Sequence, residues 1–298
     1  MSSIYLPSTR LPLIPSQFTE QFCSLQQNKV KKSIRIDFKF FDDGTEIVDD
    51  TDNFEVVDVF IDQNFVYEDD LLLNNVQFKT LLKFTQFIEP STKDSHELVS
   101  FWMIKANKMS AKLLRRNQNG IFRKISAREN FKTDIFGWNV KSSQYVLFNM
   151  DDDNNYTHAT SPIRRIVDLL NQIFIHKNIS SNAFSERANN FICMWLSKIP
   201  FINTSMKSIR KVQFDCNLLN YFHNKSNISE RTYIAIVVEK EALDFGFYTY
   251  TVFLSDLNFS VKVSKCSNGI SLKYSNSFAL LFTSCIIGLK DLWSVIFT

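Results

Sequence analysis

Near Ser229 the chain changes character, and that change constrains the fold more than any single motif. Upstream stand four runs with a helical period: "SHELVSFWMIKANKMSAKLLRR", "SPIRRIVDLLNQIFIHK", "NAFSERANNFICMWLSKI" and "MKSIRKVQFDCNLLNYF". In the second, Ile163, Ile166, Val167, Leu170 and Phe174 fall along one apolar stripe. Downstream, "TYIAIVVEKEALDFGFYTYTVFLSDLNFSVKVSK" is β-branched and aromatic, in short runs broken by Gly, Asn and Asp. Roughly five short strands in this C-terminal tract suit a small barrel of the OB type. The chain therefore reads as α+β, with a boundary between Lys225 and Ser229. Residues 1–228 form a mixed sheet with packed helices, and residues 229–298 form the barrel.

The N-terminal part also carries strand patterns. Pro7, Pro12 and Pro15 predict an extended arm rather than a helix at the start. "SIRIDFKF" alternates, placing Ile34, Ile36, Phe38 and Phe40 on one face, and "DDG" at Asp42–Gly44 predicts a hairpin turn. "FEVVDVFI", from Phe54 to Ile61, is a further strand. Ser95 is the predicted cap of the first helix, with Arg115 and Arg116 at its C-terminal end. Ser161 is the predicted cap of the second, with Pro162 in its first helical position.

Composition excludes several classes. The chain has 298 residues, 45% of them hydrophobic, which is enough for a substantial core. The formal net charge of +3 is mild, so any nucleic-acid site must be a local basic cluster. Five cysteines, Cys23, Cys193, Cys216, Cys266 and Cys285, form no CxxC pair, which argues against a disulfide framework or a zinc site and for a reducing compartment. The start is too polar for a signal peptide, and "SFALLFTSCIIGL" is too short to span a bilayer. The expectation is a soluble cytoplasmic protein with no membrane partner. The Phe- and Asn-rich composition and the wording of "RRIVDLLN" suggest a large DNA virus or a related cytoplasmic element as the source.

The stretch "YTHATSPIRRIVDLLNQ" concentrates the chemistry. A helix starting at Ser161 would offer free backbone N–H groups and a partial positive charge, an arrangement suited to an anion. Thr160 and Ser161 add hydroxyls, Arg164 can fork onto a phosphate, Arg165 lies further round, and His158 can donate to the same anion. The alternative is an ordinary capped helix in which Arg164 pairs with Asp168 on the surface.

The wording of this stretch, with its "TSPIRR" string, resembles the signature of the ribonuclease II/R (RNB) family of hydrolytic 3′→5′ exoribonucleases. Colinear segments support the resemblance: "SSIYLPSTRLPLIPSQFTEQFCSL", "SIRIDFKFFDDGTEI", "FVYEDDLLL", "ELVSFWMIKANKMSAKLL", "NGIFRK" and "SIRKVQFDCNLLNYF". It implies that the first part is the C-terminal portion of an RNB-type catalytic domain, followed by an OB-type barrel. It further implies that Arg164 stabilises charge at the scissile-region phosphate, as the one catalytic candidate. Thr160, Ser161 and Arg165 complete that wall, Gln213 faces the arginine, and Tyr67 lines the channel as a stacking platform for bases. For Tyr67 a half-buried strand residue is the equal alternative. The basic clusters Lys29–Lys32, Lys112–Arg116, Arg123–Lys124 and Lys207–Lys211 either line a strand path or are solvated faces.

Two departures matter. The family's Mg²⁺-holding aspartate string lies upstream of the segment that resembles "SSIYLP", with which this chain begins. Hydrolysis of a phosphodiester needs a cation to activate water. The "MDDDNN" run at Met150–Asn155 reads as turn composition rather than a replacement, and "TEIVDDTD" and "YEDD" read as solvated faces. Ser100 and Phe101 stand where the family usually carries two acidic residues. The resulting expectation is a single-stranded RNA-binding module of a truncated, split or inactive exoribonuclease, without a metal site of its own and not hydrolytic as an isolated chain. Mg²⁺ is expected only if a second polypeptide, carrying the N-terminal half, supplies the acids. The rival expectation is a non-catalytic interaction or scaffold protein that retains the RNB fold.

Overall fold

The alternating segments do form antiparallel hairpins in the computed structural model, which describes residues 1–47, 54–126, 142–150, 156–180, 183–224, 232–242, 247–254, 259–267, 280–282 and 292–297. The proline-broken start folds back once, as β1 (Ile4–Tyr5) against β2 (Arg10–Leu11). Next come a short helix α1 (Ser16–Phe18) and a wide helical turn, Thr19–Cys23. Strand β3 (Lys29–Ile36) then pairs with β4 (Phe54–Ile61), in register from Lys29 opposite Ile61 to Ile36 opposite Phe54. Phe38 and Phe40 lie beyond the end of β3 and pack on the indole of Trp102 instead. The predicted turn closes at Gly44, whose φ of +83° admits few other residues.

Helices α2 (Asp70–Leu73), α3 (Val76–Ile88) and α4 (Ser95–Arg116) follow. The cap of α4 is Asp94, whose carboxylate accepts from Glu97 N at 2.8 Å. Ser95 lies one residue inside, and its hydroxyl donates to Glu68. Gly120, at φ +101°, turns the chain into β5 (Ile121–Ser126), which pairs with β6 (Ser142–Leu147). Three helices complete this part: α5 (Ile166–Ile179), α6 (Glu186–Leu196) and α7 (Ile199–Asn224). The last begins well before Met206, where the sequence pattern places its start.

The chain divides into two compact units, Met1–Asp215 and Cys216–Thr298. In the first, α5 lies between two apolar clusters. Phe174 and Ile175 pack with Leu113, Leu114 and Phe122, while Ile166, Val167 and Leu170 pack with Ile121, Tyr145 and Ile202. Ile163, expected on the same stripe, is only half-buried. In the second unit, β7 (Thr232–Ala242), β8 (Phe247–Leu254), β9 (Phe259–Ser267), β10 (Leu280–Phe282) and β11 (Leu292–Phe297) form one antiparallel sheet in the order β10-β11-β7-β8-β9. Among the described residues, β9 and β10 are its two edges. The strand-rich character read from the sequence is present, as a five-stranded sheet. Among the described residues no helix is long and apolar enough to cross a membrane.

Candidate nucleic-acid interface

The segment Tyr156–Ser161 is extended and has no helix or long strand of its own, so its backbone polar groups need partners from elsewhere. Neighbouring elements supply them. On one side Phe122 of β5 pairs with Thr157, and Arg123 N donates to Tyr156 O at 3.0 Å. Asn171 of α5 is fully buried and works in four directions. Its Oδ1 accepts from Ile121 N at 2.9 Å, and the two hydrogens of its Nδ2 are shared among Ile121 O, Thr157 Oγ1 and His158 O. Gln172 donates to Ala159 O at 2.8 Å. Asn107 of α4 accepts from Ala159 N at 2.9 Å and donates to the Tyr156 hydroxyl.

Beyond Ser161 the chain turns sharply. Arg164 N donates to Ser161 O at 3.2 Å, with Pro162 in the second turn position that its fixed φ favours. Ser161 is therefore not the cap of α5, and Pro162 is not its first residue. Helix α5 starts at Ile166, after an extended Arg165. Arg165 is drawn out of the helix because its backbone pairs with the start of the chain. Ser2 bridges Arg165, Ser3 N donates to Arg164 O at 2.8 Å, and Ile166 N donates to Met1 O at 3.1 Å. The N–H groups expected to cradle an anion are thus engaged: Arg164 and Arg165 to Ser161 O, Ile166 to Met1, and Ser161 to Asp168 Oδ1 at 2.8 Å.

Asp168 is the brace of this turn. Fully buried, it accepts both from Ser161 N and from the Arg165 guanidinium, at 2.8 Å. The ion pair expected at Arg164 is made by Arg165 instead, because Arg165 is directed inward and Arg164 is exposed. Burial pushes the Asp168 carboxyl up, and the Arg165 charge opposes that shift. Asp168 Oδ2, Arg165 Nε and Thr160 Oγ1 are buried without a partner in the described structure.

Arginines from three parts of the chain act on one spot. His158 Nδ1 lies 2.8 Å from the Tyr145 hydroxyl. Burial first, then the charges of Arg165, Arg123 and Arg164, bring the His158 pKa down to about 3, so the ring is neutral at pH 7. Tyr145 also feels Arg210 of α7, alongside Arg165 and Arg123. Tyr145 is itself held by Asn203, which accepts from Tyr145 N at 2.7 Å and donates to Tyr145 O. Because the folded chain resists protonating His158 and the unfolded chain does not, this residue's contribution to stability is greatest above pH 6.5 and falls as pH drops toward about 3. The expected slope attributable to this residue is about 1 kcal/mol per pH unit between pH 6 and 5. Urea unfolding of the chain and of His158→Gln at both pH values measures it: the difference between the two proteins should change with pH by that amount.

The remaining predicted residues lie elsewhere. Gln213 of α7 donates to Tyr5 O at 3.2 Å, so its partner is the β1–β2 hairpin rather than Arg164. Tyr67 stands in a turn after β4 rather than in a strand, about half exposed, and stacks on His96 with ring centroids 4.0 Å apart. It lines a separate groove with Phe65, Leu72 and Phe78. Of the Lys29–Lys32 cluster, Lys31 is buried on the carbonyls of Glu20 and Gln21, and Lys32 pairs with Asp58. Phe101 meets the ammonium of Lys105 where the family pattern has an acid. Asp151, Asp152 and Asp153 lie outside the described residues, as do Asp49, Asp50 and Asp52. Among the described residues no group of three His, Cys, Asp or Glu could hold a metal ion, and Asp168 is committed to Arg165 and Ser161. These residues do not fit a Mg²⁺ site.

The sequence reading missed Asn107, Tyr145, Asn171, Gln172 and Asn203, and it named Arg210 only within the Lys207–Lys211 cluster. One signal was available for Asn171: it stands four residues after Val167, a polar side chain on the apolar stripe.

No protein-family model and no curated protein matches the chain. Solved structures do. Mycoplasma genitalium RNase R in complex with ribose-methylated single-stranded RNA superposes with a TM-score of 0.65 at 16% identity, over 100% of this chain and 62% of that one. Yeast Ssd1, a pseudonuclease, superposes with a TM-score of 0.62 at 11% identity, over 88% of this chain and 42% of that one. The chain thus has an RNB-like fold and spans less than two thirds of the length of these relatives.

Proposed function

From the RNB-like fold as premise, we propose that this chain is a single-stranded RNA-binding module. Its phosphate contacts are the guanidiniums of Arg164, Arg123 and Arg210, whose charges reach one or both members of the His158–Tyr145 pair. Thr160, Ser161 and the Asp168-bound Arg165 form the wall behind them. The observation that carries the reading is the exposed Arg164 on a turn held by Asp168, Arg165 and the Met1–Ser3 backbone. A fixed turn presents its guanidinium with little ordering left to do on binding. RNase R of M. genitalium, which has this fold, is described in complex with both single- and double-stranded RNA. Tyr67, exposed on His96, offers a ring face on which a base can stack. Gln213 acts in this reading through the hairpin it holds. The sheet of Cys216–Thr298, read as an OB-type barrel, provides a second surface for the strand.

The same reading places the chain in the cytoplasm and leaves it without hydrolytic activity of its own. Its described residues fit no Mg²⁺ site, and any cleavage requires acids supplied from outside them, in the split-enzyme case by a second polypeptide. Yeast Ssd1, described as a pseudonuclease, shares this fold.

Binding of a fluorescent oligouridylate to the full chain tests the proposal. Arg164→Ala is expected to weaken binding about tenfold and to reduce the slope of log affinity against log salt by about 0.7, the value for one single-strand phosphate. Because Arg164 is exposed, its replacement should shift the unfolding free energy by less than about 0.5 kcal/mol. Unchanged affinity at every salt concentration would exclude Arg164 as a phosphate contact. Absence of any RNA binding would favour the scaffold alternative.

A further inference from the structure

A second surface, unrelated to the arginine turn, has its own chemistry. A shallow groove of about 740 Å³ opens between the segment after β3 and the helices α3 and α4. Its aromatic lining is Phe38, Phe40, Phe41, Phe84, Phe87 and Trp102. These rings are ordered against one another: Phe38 lies 5.6 Å from Trp102, and Phe40 meets Phe84 edge-on at 5.3 Å. Trp102 is pinned by its Nε1, which donates to Thr85 Oγ1 at 3.0 Å. At the lip, Phe41 and Phe87 are each 58% exposed. So much contiguous aromatic surface in water marks a contact site rather than an incidental patch.

The rim says what kind of contact. Two carboxylates line the groove: Asp37, which already pairs with Arg35 Nε at 3.2 Å, and the exposed Asp42, whose charge sets the preference. Aromatic faces are negative at their centres, so rings and carboxylates together favour a cation and repel a polyanion. One cation is already held in this way nearby. Lys105 Nζ sits 4.9 Å from the centroid of Phe40, with Glu46 as its counter-ion. Among the described residues, the lip of the groove repeats that pairing of ring and acid, with Phe41, Phe87 and Asp42.

We propose that this groove docks a segment of a partner protein carrying an arginine or lysine flanked by apolar side chains. The apolar residues cover the phenylalanine lip, and the cation reaches the ring faces beside Asp42. Nucleic acid is the wrong occupant on charge grounds, which separates this surface from the arginine cluster.

The test uses the full chain labelled with 5-fluorotryptophan, with the Trp102 resonance identified by its loss in Trp102→Phe. The probes are a blocked octapeptide of alternating leucine and arginine, its leucine–glutamate counterpart, and an oligouridylate. The basic peptide alone is expected to shift the Trp102 resonance saturably. Asp42→Lys and Phe87→Ser, both at exposed positions, are each expected to weaken it about tenfold or more. Arg164→Ala should leave this titration unchanged while weakening RNA binding, so failure of one proposal is distinguishable from failure of the other. The proposal is overturned if the glutamate peptide or the oligouridylate acts equally, if millimolar basic peptide shifts nothing, or if Asp42→Lys binds as before. Concentration-dependent dimerisation abolished by Phe87→Ser would overturn it in favour of a second copy of the chain.

Discussion

Asn171→Ala is expected to lower the unfolding free energy by roughly 3–5 kcal/mol, out of proportion to the few atoms removed. One acceptor and two shared donor hydrogens of this amide serve four neighbouring groups, and Asn171 is fully buried, so water cannot replace them. Thr157 Oγ1 still donates to Ile121 O in the variant. Ile121 N and His158 O are left unpaired, at about 1–3 kcal/mol each, and a cavity opens beside them. Asn171→Leu fills the space and should not rescue, because the orphaned groups remain. Urea unfolding of the three proteins gives the comparison. A loss below about 1 kcal/mol, or rescue by leucine, would show that the segment Tyr156–Ser161 is not held by this side chain.

Asp168→Ala is the second large effect, expected at about 3–5 kcal/mol. Here the damage is electrostatic: the guanidinium of Arg165, 19% exposed, loses its counter-ion, and Ser161 N loses its acceptor. Asp168→Asn keeps an acceptor for Ser161 and should cost less. The informative variant is the double replacement Arg165→Met/Asp168→Leu, which removes both charges. It is expected to be more stable than Asp168→Ala alone, since the larger cost lies in the unpaired charge. RNA affinity should fall in Asp168→Ala although the residue reaches no RNA in the proposed arrangement, because the turn presenting Arg164 loses its brace. Additive losses in the double variant would mean that the two side chains are not coupled.

What could be read in the sequence follows physical range. Helix α5 was legible as a helix because its apolar residues repeat at short intervals, and the turn at Gly44 because three neighbouring residues specify it. The start of α5 was misplaced because its position is set by distant backbone: Met1–Ser3 pair with Arg164–Ile166, and no local rule contains that pairing. The arginine turn was legible as a group, since His158, Thr160, Ser161, Arg164 and Arg165 are sequence neighbours. Their division of labour was not. Which arginine faces Asp168 depends on the extended conformation of Arg165, and that depends in turn on Ser2. Arg123 and Arg210 were invisible as partners of the turn, because only folding brings β5 and α7 to His158 and Tyr145. Asn107, Asn171 and Asn203 read as ordinary polar positions until the backbones they satisfy are in view.

The grip of Asn203 on Tyr145 has a consequence for how the protein behaves at high concentration. An amide side chain presents the same donor and acceptor as a peptide group, so α7 occupies both backbone groups of Tyr145 as another strand would. A foreign strand seeking to extend the ladder at β6 meets a rung already taken, at the middle of its length. The side chain that steadies the tyrosine thus also guards the molecule against sticking to its own kind.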